Sequence, residues 1–341
     1  MTQDDINELV LKGRFPEDNK HPEVVETHIS WVILCDDFVY KIKKPIRYSF
    51  LDFSTLEKRK YYCEREIELN KRLTDEIYLN VQTVIKIEGR LVIGGEDGEL
   101  IDYAVRMRKI DRERQMDALL LKNKVSILDI ENLAEKIAVF HKNATIIYEK
   151  DFLDIQNQFN DLSYEKDYLN EHLDKDYTAF ITRAIEISNA FIEKNKALLE
   201  NRLKSGFFRD CHGDLHSRNI FLLPSPEPFD CIEFNDDFRQ IDVLNEVAFL
   251  CMDLDAFGRH DLSDLFLSSY NNRFPSITTD KDRLLFIYYK SYRSNIRAKV
   301  NSLRAKSSED SFQRNAALAE VKKYLLLMNS YMDLIENDQS K

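Results

Sequence analysis

His212-Gly213-Asp214-Leu215-His216-Ser217-Arg218-Asn219 runs directly into the apolar Ile220-Phe221-Leu222-Leu223. A carboxylate is followed five residues later by a carboxamide, and the carboxamide by a strand. Taken singly, Asp and Asn are ordinary turn residues. Together, at this spacing, they can set a base on an attacking hydroxyl and an amide oxygen on a metal ion. A metal that bridges phosphates needs an acidic ligand shortly afterwards. Glu233, in Cys231-Ile232-Glu233-Phe234-Asn235, follows a β-rich approach and precedes polar turn residues; Asp230 is its nearby competitor. Farther on, Asp242 and Glu246 stand four apart at the start of a helical pattern, where they can hold the loop by N-terminal hydrogen bonds. The joint order points to phosphoryl transfer.

Composition narrows the surroundings of this segment. A length of 341 residues is long for one core and comfortable for two lobes. With 43% hydrophobic and 32% charged residues, the class is soluble and globular with a charged surface. The net charge of −11 argues against a general nucleic-acid partner, which needs a basic face. Cys35, Cys63, Cys211, Cys231 and Cys251 are scattered with no CxxC, as expected of reduced thiols in the cytoplasm. The acidic start Met1-Thr2-Gln3-Asp4-Asp5 predicts no secretory leader, and no apolar run reaches membrane-spanning length, so no membrane partner is expected. No glycine lies between Gly13 and Gly89, and no GxxxxGK[ST] occurs, which excludes a Walker-type ATPase.

Outward from the central segment, the pattern changes near residue 110. Residues 29–34 and 38–42 are β-rich around the turn Cys35-Asp36-Asp37. Residues 56–73 read as a helix, and 80–87, 90–94 and 100–110 as three strands. The first 110 residues thus predict five strands and one helix. Beyond them, 116–122, 127–143, 152–162, 176–204, 262–271, 280–304 and 312–337 read as helices. The expected fold class is α+β: a β-rich N-lobe over 1–110 and a mainly helical C-lobe over 111–341. The C-lobe would carry the catalytic loop 212–219, a metal segment 230–235 and C-terminal helices in 280–337.

Residues 212–219, 232–234 and 241–248 resemble the signature of the aminoglycoside phosphotransferase-like kinases, which include choline kinase relatives. Their pattern is HGDxHxxN, a hydrophobic-Asp-hydrophobic metal motif, then Gly-Asp-Pro-x-x-Asp-hydrophobic-Ala. Protein kinases share the Asp-to-Asn spacing. The resemblance implies a bilobal protein-kinase-like fold, ATP as donor, Mg²⁺ as cofactor and a small-molecule hydroxyl acceptor, that is, a phosphotransferase with an alcohol group as acceptor. Asp214 matches the catalytic aspartate, with His212 and Arg218 shaping the loop. Asn219 matches the metal-binding asparagine and Glu233 the metal-binding aspartate.

Such a fold needs a strand lysine on the nucleotide phosphates and a helix glutamate to hold it. Phe38-Val39-Tyr40-Lys41-Ile42-Lys43 offers two lysines on one strand face, so parity leaves Lys41 and Lys43 both open. Resemblance to Val-Ala-Ile-Lys favours Lys41. Glu66 resembles the helix glutamate, with Glu64 as runner-up. Met107, Arg108 and Lys109 would pass the adenine. His141 is expected to be a packed core histidine. More narrowly, 27–31, 40–45 with 50–56, and 232–235 look like an uncharacterised bacterial branch sometimes fused to a C-terminal P-loop domain, which these 341 residues are not expected to contain.

The sequence departs from the pattern at three places. The phosphate-covering turn Cys35-Asp36-Asp37 has two acids and no glycine, although backbone must approach phosphates there. Glu233 and Glu246 each stand where the family has Asp. Charge is kept at both, and Asp214 is intact, which favours an active enzyme over a nucleotide-binding pseudokinase. For the acceptor, Tyr289, Arg293 and Arg297 recur every four residues on one face of the 280–304 helix and could bind an anionic group. A third class, a metal-dependent hydrolase using His212, Asp214 and His216, is disfavoured: His21, His28, His141, His172 and His260 are isolated, and Lys41, Glu66, Asn219 and Glu233 go unexplained.

Overall fold

A computed structural model describes residues 1–17, 19 and 22–339; His21 lies outside the described residues. In chain order, helix α1 (Gln3–Lys12) precedes strands β1 (Glu23–Glu26), β2 (Ser30–Leu34), β3 (Phe38–Lys43), β4 (Arg47–Tyr48) and β5 (Leu51–Asp52). Helix α2 (Leu56–Asn70) leads to β6 (Tyr78–Ile87), β7 (Arg90–Ile93), β8 (Glu99–Arg108) and α3 (Met116–Leu121). Helices α4 (Ile127–Asn143), α5 (Asp154–Asn160), α6 (Lys166–His172) and α7 (Lys175–Lys204) follow. Then come β9 (Phe208–Asp210), β10 (Ile220–Phe221), β11 (Glu227–Pro228), α8 (Asp236–Arg239) and β12 (Gln240–Asp242). The chain ends in α9 (Val243–Ala256), α10 (His260–Arg273), α11 (Asp280–Ser307) and α12 (Ser311–Gln339).

The chain forms two compact units. One comprises residues 1–124, 212–214 and 218–239. Its centre is a six-stranded antiparallel sheet in the order β1-β2-β3-β8-β6-β7. Strand alternation sorts β3: Tyr40 and Ile42 join Ile33, Val84, Leu91, Ile93 and Ala104 in a core on one face. Helix α1 closes that core with Ile6 and Leu9, and its Thr2–Asp5 capping box fixes its start. Trp31 donates from Nε1 to Gln3 at 2.7 Å. The opposite face, bearing Lys41 and Lys43, meets Glu66 of α2. There Cys63, Ile77, Tyr78 and Val105 pack with Phe221, Leu223 and Phe229. The sequence pattern yields five of the six strands; β1, with glutamates at both ends and most of its length exposed, has too little alternation to show. By packing, residues 212–214 and 218–239 join the sheet rather than the helices, because the side chains of the β10–β11 hairpin complete the sheet's second core.

The other unit comprises residues 125–211, 215–217 and 240–341 and is helical apart from the β9–β12 pair. Asp242 caps α9, accepting from the Leu244 amide at 2.9 Å, and both its oxygens also bind the buried Arg202. Arg202 further reaches Asp282 at 2.8 Å, the third residue of α11. One guanidinium thus ties three helices together. His141 is a packed core histidine, bonded to Tyr270 Oη and to Glu246, each at 2.7 Å. The five cysteines are buried and none is bonded to another. Among the described residues, no helix is long and apolar enough to cross a membrane.

Candidate active site

The site is built on three supports in the sheet-bearing unit. The first is the face of β3 opposite α2. Lys41 Nζ donates to Glu66 Oε1 at 2.8 Å, and Lys43 Nζ donates to Glu66 Oε2 at 2.7 Å. One buried carboxylate therefore serves two cations. Burial alone would push Glu66 up, but the two ammonium groups outweigh it and hold the carboxyl at about 2. The two lysines then diverge. Lys41 also donates to Asp230 Oδ1 at 2.7 Å and keeps partial access to solvent. Lys43 is wholly buried, lies against the Phe53 ring and is paired with Glu233. Burial depresses Lys41, yet Asp230, Glu66 and Glu233 outweigh that and raise it well above the ordinary lysine value.

The second support is the turn carrying the quoted motif. Gly213 has φ +88°, and a Cβ there would sit 3.0 Å from the Phe238 carbonyl oxygen and 3.2 Å from Arg239 Cα. Only glycine takes this bend without strain. His212 is buried; its Nδ1 accepts from the Asp214 amide at 3.2 Å. That fixes the tautomer, so Nε2 carries the proton and donates to the Phe229 carbonyl at 2.9 Å. Both ring nitrogens are engaged with backbone, which removes His212 from a zinc set. Asn219 donates from Nδ2 to the Asp214 carbonyl at 3.0 Å and to Asp214 Oδ2 at 2.9 Å. Its amide oxygen is left as the donor atom for a cation. Arg218 is half exposed, and its Nε lies 3.7 Å from Asp117, which Arg112 also grips. Asp214 is partly open to solvent.

The third support is the β10–β11 hairpin and the segment leaving it. The Phe229 amide donates to the Asn219 carbonyl at 2.9 Å, closing the hairpin. Asp230 follows with φ +61°, its amide donating to Tyr78 Oη at 3.1 Å. Glu233 is buried, and burial together with Glu66 raises it above the ordinary carboxyl value despite Lys43. The Ile232 amide donates to the His212 carbonyl at 3.1 Å, which links this segment to the motif turn.

The remaining expected residues fall elsewhere. Met107 and Arg108 belong to β8 itself, laddered to Val39 and Phe38, and the Arg108 amide donates to Ile77. The backbone groups assigned to the adenine are therefore occupied at Arg108. Lys109, just past the strand, braces the Cys35-Asp36-Asp37 turn: its amide donates to the Asp37 carbonyl and its Nζ to the Cys35 carbonyl, each at 2.8 Å. Asp36 and Asp37 both face solvent. In the helical unit, Tyr289 is buried and donates to Asp242 at 3.2 Å. Arg293 is buried, bonded to Asn245 at 2.7 Å and laid over the Phe249 ring. These two are engaged in packing α11 against α9. Arg297 stays partly exposed, with Nη1 3.5 Å from His216 Nε2. Sequence reasoning missed Tyr78, whose hydroxyl holds Asp230; as one more apolar strand residue it carries no signal of its own.

No family model matches the chain. Uncharacterized proteins of Mycobacterium tuberculosis and Mycobacterium bovis are each 31% identical to it over 288 residues, 83% of this chain and 55% of theirs. The chain spans about half the length of the curated relatives it matches. Among solved structures, the GDP and kanamycin complex of APH(2'')-IIIa superposes with a TM-score of 0.53 at 12% identity, covering 91% of this chain and 94% of its own. A thermostable mutant of aminoglycoside phosphotransferase APH(4)-Ia gives 0.51 at 10% identity, covering 91% and 95%. A choline/ethanolamine kinase family protein from Mesorhizobium loti gives 0.50 at 10% identity, covering 96% and 98%. The chain has the bilobal protein-kinase-like fold of the aminoglycoside phosphotransferases and the choline/ethanolamine kinases.

Proposed function

We propose that this protein is an ATP-dependent small-molecule kinase of the aminoglycoside phosphotransferase-like family, moving the γ-phosphoryl group to a substrate hydroxyl. The observation that carries this reading is a conjunction within one unit: the Lys41–Glu66 pair at 2.8 Å and the Asp214–Asn219 contact at 2.9 Å. The donor set is all hard oxygen plus ammonium, which suits Mg²⁺ and phosphate. Mg²⁺, held by Asn219 and an acid of the 230–233 segment, would neutralise charge on the phosphates.

Lys41, the lysine of the pair that keeps access, would hold the α/β-phosphates with Glu66 as its brace. Asp214 would orient the acceptor hydroxyl and take its proton. The acceptor oxygen bonds to the γ-phosphorus, the bond from that phosphorus to the β–γ bridging oxygen breaks, and ADP leaves. His212 and Gly213 would set the carboxylate's direction. The fold neighbours named for aminoglycosides and for choline or ethanolamine support a small hydroxyl-bearing acceptor.

A thermal-shift assay with Mg-ATP, followed by a metabolite screen read as ADP formation, tests the proposal. With an acceptor found, Asp214→Asn is expected to cut turnover by about 10²–10⁴ while leaving the melting temperature near wild type. Full turnover in that variant would refute the assignment. Nucleotide binding with no ADP release from any hydroxyl acceptor would mark a nucleotide-binding regulator instead.

A further inference from the structure

We propose that Asp230, rather than Glu233, is the acid that shares the divalent cation with Asn219, and that Glu233 is a positioning residue which, with Lys43, fixes the segment bearing Asp230. The inference rests on the kinase reading above. Access separates the two acids first. The Asp230 side chain is 45% exposed and its partner Lys41 12%, whereas Glu233 is 3% exposed and Lys43 0%. The first pair is the one open to solvent. Reaching Glu233 would take it from Lys43 and leave a buried ammonium with one carboxylate already shared with Lys41. Breaking a buried pair that way is strongly unfavourable.

Backbone placement points the same way. Asn219 enters the β10–β11 hairpin and Phe229 leaves it, joined by the 2.9 Å bond from the Phe229 amide to the Asn219 carbonyl. Asp230 is the next residue, so Asn219 and Asp230 flank the open end of one hairpin. Asp230 holds φ +61°, a conformation rare outside glycine, secured by Tyr78 Oη on its amide and Lys41 on its carboxylate. Asn219 is 7% exposed, and both its amide hydrogens go to Asp214, so its oxygen faces the remaining direction. Phe229-Asp230-Cys231 also satisfies a hydrophobic-Asp-hydrophobic pattern with an actual aspartate, three residues before the glutamate that the motif register selects. Glu233 lies deeper, at Lys43, two residues along β3 from Lys41.

The test uses the full chain and Mn²⁺ as probe, following loss of the free-ion signal by electron paramagnetic resonance at saturating ADP. Wild type should take up Mn²⁺. D230N should weaken that uptake about tenfold or more, with ADP binding in the absence of metal retained. E233Q should bind Mn²⁺ close to wild type while melting at lower temperature. Should E233Q fail to fold, the K43M/E233M double variant removes both buried charges together and takes its place. If E233Q loses Mn²⁺ and D230N keeps it, the assignment is overturned. D230N indistinguishable from wild type overturns it too, with the kinase reading left standing. Wild-type protein that binds neither Mn²⁺ with ADP nor ADP with Mg²⁺ sinks both.

Discussion

At the scale of single residues, Glu66 concentrates the electrostatics of the site. Its two oxygens each hold a lysine in a region closed to water. The folded protein holds it at about 2, below its ordinary 4.5, so its contribution to stability is full above 4.5 and is lost as pH falls through 2. The difference corresponds to about 3 kcal/mol. Glu233, raised above 4.5, works in the opposite sense: the stability linked to its protonation is present below 4.5 and is lost as pH rises through its raised value. Urea unfolding of wild type and Glu66→Gln between pH 7 and pH 2.5 separates the two. The variant should lose about 3–5 kcal/mol at pH 7, because two buried ammonium groups forfeit a partner. Its stability should also fall less steeply below pH 4.5 than that of wild type. Parallel pH profiles would show that Glu66 is not held ionised by Lys41 and Lys43.

At the scale of elements, α11 shows how a stripe read as surface becomes interior. Tyr289 and Arg293 recur at helical spacing among charges, which in a one-sided amphipathic helix marks the wet face. Here α9 and α12 both pack on α11, so its apolar face is not the only one covered. Tyr289 then belongs to the Asp242–Arg202 network. Removing its hydroxyl in Tyr289→Phe should cost about 1 kcal/mol in urea unfolding and leave the acceptor KM unchanged. A raised KM at unchanged stability would return Tyr289 to the acceptor site. The same reasoning separates what was legible in the sequence. Asp214, Asn219 and the Lys41–Glu66 pairing were readable because each depends on a short motif or on one strand facing one helix. The helices 127–143 and 280–304 were readable from period alone, and the structure gives Ile127–Asn143 and Asp280–Ser307. The standing of Glu233 against Asp230 was not, because burial there depends on how far the β10–β11 hairpin reaches. Helix α1 escaped because it is a short ten-residue run in which only Ile6 and Leu9 are buried.

At the scale of the whole molecule, the sheet-bearing unit is discontinuous in sequence. Residues 1–124 hold the six-stranded sheet, yet 212–214 and 218–239 belong to the same packing unit. The excursion leaves and rejoins the helical unit at neighbouring backbone, since Asp210 and Gln240 are partners in the β9–β12 pair. What it brings back is structural as well as chemical. Phe221, Leu223 and Phe229 complete the second core of the sheet. The Cys231 amide takes up Asn70 Oδ1 at 2.9 Å, and Glu233 is a partner of buried Lys43. Phe221 is buried and Leu223 and Phe229 partly so; at roughly 1–2 kcal/mol each they amount to about 3–6 kcal/mol. That is comparable with the whole stability of a domain, about 5–15 kcal/mol. Residues 1–124 expressed alone should therefore show no cooperative thermal transition and little near-ultraviolet circular dichroism, although part of the sheet's far-ultraviolet signal can persist. The full chain should melt cooperatively under the same conditions. A sharp transition in the fragment, with near-ultraviolet bands intact, would mean that the sheet carries its own stability and that residues 212–239 serve the chemistry alone.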